Sequence, residues 1–482
     1  MHMSMSVVQL KDWIKRMHRA IWLAIVVATS TTTVCGAAQQ STPASKPQSE
    51  LQARSETSGL PHRKFSMSIC FDRADAENKE IRVATANLPI AQAAIVIAKA
   101  IPSPIFNLNY GWGDAWKFIL AGNNQQVGWT EEVLVAGRRT KRTYVANATY
   151  LQTAFQIEAT RFDVHNRVRR AYAEQAAAAA YEDLIESQRA IGQELLDIAS
   201  KRYAAGKAPG SEVLQAKLAV AQFEIQRNQA QGRLVQDSAQ LALLVGETQP
   251  HQEIIDVDEN DMFKLSAQKG SSIVPSAERG VPQLEQLLPT AWRQRKDLKA
   301  AIQQAYAGRK LLTLAKTQRI PDPVIGFNYL FSTYQRFQPA FFDPRFGPVP
   351  QQPGYMLTVQ EEMPLFYQYQ GQVNQARATW MQQLKQNDLL RSQIATGIVA
   401  AYEALILSRA NVETYQQKLL PAAANVARLA RRGYELGKTD LATAILAQQQ
   451  YQQLRSSYFD SVVAYQNAWA DLEKAVGVPL NL

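Results

Sequence analysis

Two pairs of adjacent glutamates, Glu131-Glu132 and Glu361-Glu362, are the arrangement in this sequence that comes closest to acid–base chemistry. Paired carboxylates can serve as general acid and base when both face one substrate. Each pair follows a stretch in which apolar and polar residues alternate, and this pattern predicts a β-strand. Because successive strand residues point to opposite faces, the two carboxylates of a pair diverge. We therefore expect a structural role for both pairs and no catalytic residues.

Other residue types that could bind metals or phosphate do not converge either. Met356 and Met363 flank one predicted strand, which favours packing over soft-metal ligation. The segment 307–310 lacks the first glycine and the hydroxyl of a phosphate-binding loop. No HExxH pattern joins the histidines, which are His2, His18, His62, His165 and His251. The sequence predicts no metal site, no cofactor and no enzymatic activity.

The elements that carry these residues occur twice. IPSPIFNLNY from Ile101 recurs as IPDPVIGFNY from Ile320, 219 positions later, and the glutamate pairs recur at an offset of 230. Further on the offset is 231, where the matched residues are Tyr203, Gly206 and Lys207 with Tyr434, Gly437 and Lys438. The chain therefore contains two copies of one unit. The change from 219 to 230 predicts an insertion in the second copy, in the Pro- and Gly-rich loop that begins near Phe337.

After the strands, each copy changes to a helical period. In the second copy apolar residues recur at steps of four and three, which is the seam of helices packed side by side over a long distance. The seam residues are Ile394, Ile398, Ala401, Leu405, Ser408, Val412, Tyr415, Leu419, Ala422, Val426 and Leu429, followed on a second helix by Leu454, Tyr458, Val462, Tyr465, Trp469, Leu472 and Val476. A helix over 138–205 would be roughly 100 Å long. Pro421 predicts an interruption and a bend in the second long helix.

The predicted fold is mainly α with a small β part, built from two tandem repeats of two β-strands plus a long antiparallel helix pair. The first repeat covers 79–246, with strands at about 104–112 and 125–135 and helices at about 138–205 and 210–246. A linker follows over 247–282. The second repeat covers 283–482, with strands at about 323–334 and 355–363 and helices at about 371–436 and 440–477. Gly206 and Gly437 suit helix C-termini at the reversals, and Ser211 and Asp440 are the predicted caps of the returning helices.

The start of the chain predicts export. Basic residues precede the apolar run 20–28, and small residues follow it, which is the layout of a secretory signal over 1–38 with cleavage after Ala38. A lipoprotein signal through Cys35 is the alternative. The polar, Pro- and Ser-rich segment 39–78 is expected to be disordered. After cleavage only Cys70 remains, so no internal disulfide can form.

Charge and hydropathy limit the partners. The net charge is +10, of which the signal region carries +3. No compact basic patch with interleaved aromatic residues occurs, so nucleic acid is not a predicted partner. We expect no long uncharged apolar run after the signal, so a membrane-crossing protein of this sequence would have to use its strands.

In this order and repetition, the motifs resemble those of the TolC family of outer membrane efflux proteins. The resemblance runs from about 81 to 479. It rests on the duplicated strand–strand–helix-pair layout, on RQRKDLKAAIQQAYAGRKLLTLAKTQRIPDP leading into a strand, on QEEMPLF before a Gly-led helix, on the Y-x-x-G-K reversals and on the Val-Gly endings at Gly246 and Gly477. The IPDP, MPLF and RYAAGK stretches are most similar to the CzcC/CusC branch, which serves heavy-metal cation efflux.

The resemblance implies a homotrimer in the outer membrane. Each subunit would give four strands to a trimeric β-barrel of twelve strands, continued by a periplasmic α-helical barrel. A periplasmic adaptor (membrane fusion) protein and an inner membrane pump of the RND type would deliver the substrate. The reversals would form the periplasmic tip and dock to the adaptor, through Gly206, Lys207, Ser211, Gly437, Lys438 and Asp440.

The resemblance also assigns the strand faces. The side chains expected to face outer membrane lipid are Phe106, Leu108, Tyr110, Trp112, Ile325, Phe327, Tyr329 and Phe331, with Val127, Trp129, Leu357 and Val359 as candidates on the other two strands. The side chains expected to face the lumen are Asn107, Asn109 and Asn328.

In the family, an acidic residue at the first tip and a tyrosine at the second hold the mouth closed. These positions fall on Glu212 and Tyr434. The assisting arginine of the archetype falls near Thr439, and its constricting aspartates fall near Thr443 and Leu446, so neither group is present. The alternative for Glu212 is a capping carboxylate in a first helical turn. The alternative for Tyr434 is an aromatic packed beneath the turn.

Other functions stay open at this point. Within the channel interpretation, type I protein secretion is the alternative to efflux. A secreted coiled-coil structural protein would account for the heptads, although not for the alternating strands. A periplasmic adaptor would carry one helical hairpin flanked by lipoyl-like halves, whereas this sequence predicts two hairpins.

Overall fold

The computed structural model describes residues 62–109, 126–247, 254–257, 280, 283–330, 354–364 and 366–480. The strands are β1 His62–Phe65, β2 Ile105–Asn109, β3 Gln126–Glu132, β4 Ile254–Val257, β5 Val324–Leu330 and β6 Gly354–Gln360. The helices are α1 Met67–Glu77, α2 Lys79–Lys99, α3 Arg138–Ala204, α4 Gly210–Val245, α5 Leu284–Gln294, α6 Lys296–Thr317, α7 Gln370–Thr414, α8 Leu420–Glu435 and α9 Leu441–Val476. A π-turn, Tyr415–Leu419, joins α7 to α8.

Several elements were not predicted. The segment 39–78 was expected to be disordered, but its described part forms β1 and α1, so that expectation is wrong for 62–77. Strand β4 lies within the predicted linker and pairs in parallel with β1. Helices α2, α5 and α6 lie inside the predicted repeats, before the strands, where no helix was predicted. Some of the predicted features lie outside the described residues. They are the signal region with Cys35, the strand residues Tyr110, Trp112 and Phe331, and the insertion loop near 337.

Four strands form one sheet in the order β2-β3-β5-β6, with every neighbouring pair antiparallel. The register places Phe106, Trp129, Phe327 and Leu357 in one row across all four strands. The rows on either side alternate between the two faces of the sheet, as the sequence predicted. β3 and β5 join the two repeats at the centre of the sheet. β2 and β6 are its outer strands.

The helices next to the sheet follow the same order. α2 packs on α3, α3 packs on α6 from the second repeat, and α6 packs on α7. The outermost helix, α2, buries Ile81 but leaves four large apolar side chains exposed, those of Val83, Ile90, Val96 and Ile97. By length and composition both α2 and the helix over 370–435 could cross a membrane, contrary to the expectation that no such run follows the signal.

The long second helix is interrupted where Pro421 predicted. Pro421 has no N–H to offer the carbonyl of Gln417, so the regular ladder cannot continue there. The chain forms the π-turn Tyr415–Leu419, and Pro421 lies in the first turn of α8.

The π-turn changes which face of this helix is buried. Before it, the predicted seam residues Ile394, Ile398, Leu405 and Val412 are buried. After it, the predicted Leu419, Val426 and Leu429 are exposed, which corrects the prediction, and the buried residues are Ala427 and Tyr434. A π-turn accommodates one extra residue, so the seam moves by one position.

Candidate functional site

Both helix reversals end their first helix in the same backbone geometry. In the first, Gly206 has φ +67°, its N–H donates to the carbonyl of Tyr203 at 2.9 Å, and the N–H of Lys207 donates to the carbonyl of Arg202 at 2.8 Å. In the second, Gly437 has φ +70°. There the N–H groups of Gly437 and Lys438 donate to the carbonyls of Tyr434 and Gly433 at 3.0 and 2.8 Å. This is the Schellman arrangement, which needs a left-handed residue that glycine supplies without strain.

The returning helices begin differently from each other. Asp440 is the N-cap of α9, and its carboxylate accepts a hydrogen bond from the Thr443 hydroxyl, which lowers the pKa of Asp440 below its ordinary value. Ser211 is not a cap: α4 already begins at Gly210, with Pro209 as the N-cap residue. The reason is that Pro209 fixes an extended backbone one position earlier and carries no N–H that needs a partner. All six residues predicted for the docking tip are exposed.

The predicted pair Glu212 and Tyr434 is in contact. The Tyr434 hydroxyl donates a hydrogen bond of 3.0 Å to Glu212 Oε2, which links the first helix pair to the second. Glu212 lies in the first turn of α4, as the capping interpretation required, but its carboxylate is directed to the tyrosine. Tyr434 is fully buried, as the packing interpretation required. Burial, followed by the bond to Glu212, raises the pKa of Tyr434 to about 12, so its hydroxyl stays protonated at neutral pH.

An arginine that the sequence did not single out completes this contact. The guanidinium of Arg202 lies 4.7 Å from the centroid of the Tyr434 ring and donates a 3.0 Å hydrogen bond to the Tyr434 carbonyl. Arg202 belongs to the first helix pair. The arginine of the family archetype falls near Thr439, which belongs to the second helix pair. Thr439 instead bonds the Ala430 carbonyl within its own turn, at 3.2 Å. The structure therefore has a cation at this contact, supplied by the other hairpin.

The surroundings of Tyr434 join all four long helices. An apolar cluster contains Leu195 and Ala199 of α3, Ala216 of α4, Tyr434 of α8, and Leu441 and Ala444 of α9. Arg431 of α8 forms an ion pair with Glu194 of α3. The two reversals are thus held together within one chain by an apolar cluster, the Tyr434–Glu212 hydrogen bond, the contacts of Arg202 with Tyr434 and the Arg431–Glu194 ion pair. Thr443 and Leu446, at the positions of the archetype's aspartates, are exposed and uncharged.

The sheet is the second candidate site. On one face the described side chains are large and apolar except for Glu131; the apolar ones are Phe106, Leu108, Val127, Trp129, Ile325, Phe327, Tyr329, Tyr355, Leu357 and Val359. Many of these are exposed, for example Phe106 at 70% and Leu357 at 69%. The other face carries Asn107, Thr130, Asn328 and Thr358, where Asn107 bonds the Thr130 hydroxyl at 3.2 Å. The side chain of Asn109 lies outside the described residues.

Glu131 and Glu132 lie opposite Ile325 and Val324, on alternate faces, so this pair does not converge. Glu361 and Glu362 follow β6 and are exposed. Among the described residues, no grouping of three or more His, Cys, Asp or Glu side chains is placed to hold a metal ion.

A buried ion pair at the junction of the two repeats was also missed. Asp322 pairs with Arg138 at the start of α3, and its Oδ1 accepts from the Val135 N–H at 2.9 Å. Arg138 also donates to the carbonyl of Thr317 at 2.9 Å. The sequence did carry an indication of this pair. At the position where the first copy has the neutral Ser103 of IPSP, the second copy has the charged Asp322 of IPDP.

Comparisons with known proteins found one matching family and several solved structures with a similar fold. Residues 71–247 match the model of the family described as outer membrane efflux protein. The fold is similar to that of the outer-membrane channel OprN, at 15% identity and a TM-score of 0.67 over 85% of this chain and 89% of that chain. It is similar to the outer membrane protein VceC from Vibrio cholerae, at 18% identity and a TM-score of 0.65 over 86% of this chain and 96% of that chain. It is also similar to CusC, at 17% identity and a TM-score of 0.67 over 86% and 92%. No curated protein sequence matches at a significant level.

Proposed function

We infer from the family match over 71–247 and from this fold that the chain is the subunit of an outer membrane efflux channel. In this proposal it makes and breaks no bonds. It conducts substrate passively from a pump–adaptor complex to the exterior.

The observation that carries the proposal is a sheet that a single chain leaves incomplete. Its apolar face is exposed, and β2 and β6 have no partner strand on their outer sides among the described residues. In hydrocarbon, unpaired backbone groups cost several kcal/mol each, so strands cross a membrane only in a closed barrel. Four strands are too few to close, because the smallest such barrels have about eight. Three copies would give twelve, and the apolar face would then contact lipid.

The helices would continue the channel into the periplasm. Their reversals, with Gly206, Lys207, Ser211, Gly437, Lys438 and Asp440, would form the mouth that meets the adaptor. The Tyr434–Glu212 hydrogen bond, with Arg202 over the tyrosine ring, would hold the mouth closed at rest. An inner membrane pump of the RND type would complete the system.

For the cargo, heavy-metal cations are our first candidate, on the resemblance of the IPDP, MPLF and RYAAGK stretches. The fold does not favour this branch, since CusC matches no better than OprN. The mouth also lacks the acidic residues that would attract cations at Thr443 and Leu446. Organic toxicants, or protein cargo of a type I secretion system, are the alternatives.

The channel proposal is tested by location and conductance. Membranes from cells producing the full chain are fractionated, and the protein purified in detergent is added to planar bilayers. We expect it in the outer membrane fraction and expect discrete conductance steps. A chain that stays soluble without detergent, or that gives no steps, would reject the proposal.

The cargo is tested separately in a deletion strain. Its growth is compared with that of the complemented strain on zinc, cobalt, copper and a panel of organic toxicants. Sensitivity to the metals would support the first candidate. Sensitivity to organic compounds alone would reject the metal assignment while leaving the channel intact.

A further inference from the structure

The first long helix begins with an unusual concentration of positive charge. α3 opens with RRTKR, which places four cations in its first five residues, Arg138 to Arg142, and no acidic residue lies in its first turn. Cations at a helix N-terminus lie at the positive end of the helix dipole, and like charges three or four residues apart repel each other. Asp322 neutralises Arg138. Within the part of the chain that the structure describes, Arg139, Lys141 and Arg142 form no ion pair, so their unfavourable placement is not offset.

Two other helices end beside this point and add further cations. Arg139 Nε donates to the carbonyl of Lys99, the last residue of α2, at 2.6 Å. Arg138 donates to the carbonyl of Thr317, the last residue of α6, at 2.9 Å. Cations are favourable at helix C-termini, so the dipole explains those at the ends of α2 and α6. Together with the three of α3 they form what we call the basic cluster, which consists of Lys99, Arg139, Lys141, Arg142, Lys316 and Arg319.

The basic cluster is open to its surroundings and exceeds the acids beside it. Five of its six residues are exposed, and Lys141 is half-buried, with its Nζ donating to the Ala136 carbonyl at 2.8 Å. Glu131 and Glu132 end β3 at the same level, and among the described residues neither forms an ion pair with the cluster. Even if both glutamates neutralised a cation, four positive charges would remain. A surface of this kind fits an anionic partner.

The second repeat shows that the strand-to-helix turn does not itself require these charges. Both long helices follow an N-cap residue in the left-handed region, Gly137 at φ +66° and Tyr369 at φ +56°. After it, α3 begins with RRTKR, whereas α7 begins with QGQVN, which is uncharged. The same turn is thus built once with four cations and once with none. We infer that the cations of the first repeat serve binding rather than the fold.

The cluster also lies at a suitable depth for lipid headgroups. In the proposed channel the strands cross the hydrocarbon layer, and β3 ends at Glu132, shortly before α3 begins at Arg138. Residues 138–142 extend along about 6 Å of helix. The headgroup layer on each side of a bilayer is about 5–7 Å thick. Basic residues beside a membrane bind anionic headgroups at this depth.

We propose that the basic cluster binds the phosphate groups of anionic phospholipids, such as phosphatidylglycerol, in the periplasmic leaflet of the outer membrane. The proposal rests on the channel function proposed above and adds a lipid partner to it. Each chain contributes one such site, at the strand-to-helix junction of its first repeat. The anion offsets the repulsion among the cations at the start of α3.

The test measures lipid preference of the full-length protein in nonionic detergent. Fluorescently labelled phosphatidylglycerol and phosphatidylcholine are titrated separately, and binding is followed by anisotropy. We expect the native protein to prefer phosphatidylglycerol. A basic residue beside an anionic surface contributes about fivefold in affinity. The triple variant Arg139→Gln, Lys141→Gln, Arg142→Gln should therefore bind phosphatidylglycerol about ten- to a hundredfold more weakly, with phosphatidylcholine binding unchanged.

Three further variants separate charge from folding. Arg139→Lys with Lys141→Arg and Arg142→Lys keeps every charge and should keep the preference. Arg377→Gln removes an exposed cation of α7, in the second repeat, and should have no effect. Lys99→Gln with Lys316→Gln leaves α3 intact and should weaken phosphatidylglycerol binding, which tests the cluster even if the triple variant does not fold. Equal affinities of the native protein and both neutralised variants for phosphatidylglycerol would overturn the proposal.

Two further arms exclude other anions. Inorganic phosphate and glycerophosphoglycerol, added as competitors, should not displace the labelled lipid. Displacement by inorganic phosphate at matched concentration would mean a site for soluble anions and would overturn the lipid assignment. A triple variant that changes the ion selectivity of the bilayer conductance but not lipid affinity would place the cations on the lumen, with the same consequence.

The failures of the two proposals can be told apart. A protein that reaches the outer membrane and conducts, but binds both lipids equally, overturns the lipid site and leaves the channel proposal intact. A protein that is absent from the outer membrane and gives no conductance overturns the channel proposal, and the lipid site with it.

Discussion

In the proposed channel, the mouth would be restrained by the side chains of Tyr434, Glu212 and Arg202. A phenol that donates to a carboxylate forms a charge-assisted hydrogen bond, which is stronger than a bond between neutral groups. The phenol is fully buried, so it has no water to replace Glu212 if the bond is lost. The guanidinium of Arg202 over the ring adds a cation–π contact at 4.7 Å. One residue thus couples the two helix pairs through three groups: hydroxyl, ring and carbonyl.

If the Tyr434–Glu212 hydrogen bond closes the proposed mouth, replacing Tyr434 with Phe should loosen it. The variant keeps the ring and its contact with Arg202 but removes the donor to Glu212. Hydrogen bonds to charged groups contribute about 1.5–3 kcal/mol, so we expect the open-to-closed ratio to rise by about tenfold or more. Single-channel recording measures this ratio.

Tyr203→Phe is the matched control, because Tyr203 is the repeat counterpart of Tyr434 and is exposed. It should leave the recordings unchanged. Equal effects of the two substitutions, or none from Tyr434→Phe, would show that the hydrogen bond does not restrain the mouth.

The ionisation of Tyr434 should be displaced to high pH. Its pKa is raised to about 12, against about 10 for an exposed tyrosine, mainly by burial. Since the folded pKa lies above the unfolded one, the contribution of the protonated phenol to stability is complete below pH 10 and is lost between pH 10 and 12. The difference in phenolate absorbance between the native protein and Tyr434→Phe should therefore rise with a midpoint near 12. A midpoint near 10 would mean that the phenol is open to solvent.

At the scale of elements, the junction between the repeats depends on the loop before β5. The Asp322 side chain is 3% exposed and the Arg138 side chain 14%, and the arginine also donates to the carbonyls of Thr317 and Ile320. This one loop therefore fixes where α6 ends, where β5 begins and where α3 of the other repeat starts.

Asp322→Asn should destabilise this junction. It leaves the Arg138 guanidinium buried without its counter-charge, and removing one partner of a buried pair costs about 3–5 kcal/mol. Thermal unfolding of the purified protein should show a clearly lower midpoint. Ser103→Ala, at the repeat counterpart, should have little effect because Ser103 is exposed. Similar midpoints for Asp322→Asn and the native protein would show that the pair contributes little.

The sequence predicted the elements that carry a repeated pattern and missed those that do not. The apolar residues recur with a period of two in strands β2, β3, β5 and β6 and with a period of 3.5 in the long helices. Each of these patterns occurs in both repeats. Helix α2 lacks such a period and has Pro89 within it, so composition alone did not reveal it. Strands β1 and β4 have four residues each and pair across more than 180 positions, a contact that no local pattern specifies.

In the candidate sites, too, residues that the repeat aligns were predicted and residues that it does not align were missed. Glu212 and Tyr434 were found because the repeat aligns the reversals on which they lie. Arg202 was missed because its repeat counterpart is Gly433, so the alignment gave no cation at that position. The seam after Tyr415 was predicted one residue out of register, because Pro421 indicates an interruption but not that a π-turn absorbs it.

At the scale of the whole molecule, the two repeats are also joined by ion pairs between α3 of the first and α9 of the second. The pairs are Arg169 with Glu473, Arg170 with Asp471, and Asp163 with Lys474. They differ in burial, since both side chains of the first pair are less than 10% exposed whereas those of the second are 39% and 46% exposed. Glu473 also accepts from the Trp469 indole at 3.1 Å and from the Leu480 N–H at 3.0 Å. The end of the chain is thereby attached to the helix that begins the first repeat's long pair.

This contrast in burial predicts unequal effects of two similar substitutions. Glu473→Gln leaves Arg169 buried and unpaired, so we expect a loss of about 3–5 kcal/mol in the free energy of unfolding and a clear fall in the thermal midpoint. Asp471→Asn removes one partner of an exposed pair on the same helix, where the loss should be at most about 1 kcal/mol. Denaturation of both variants in one detergent, with the native protein beside them, measures the difference. If the two variants unfold together, the buried pair is not what holds the C-terminal helix to the first repeat, and the surrounding apolar contacts of Trp469 and Leu472 would have to do so.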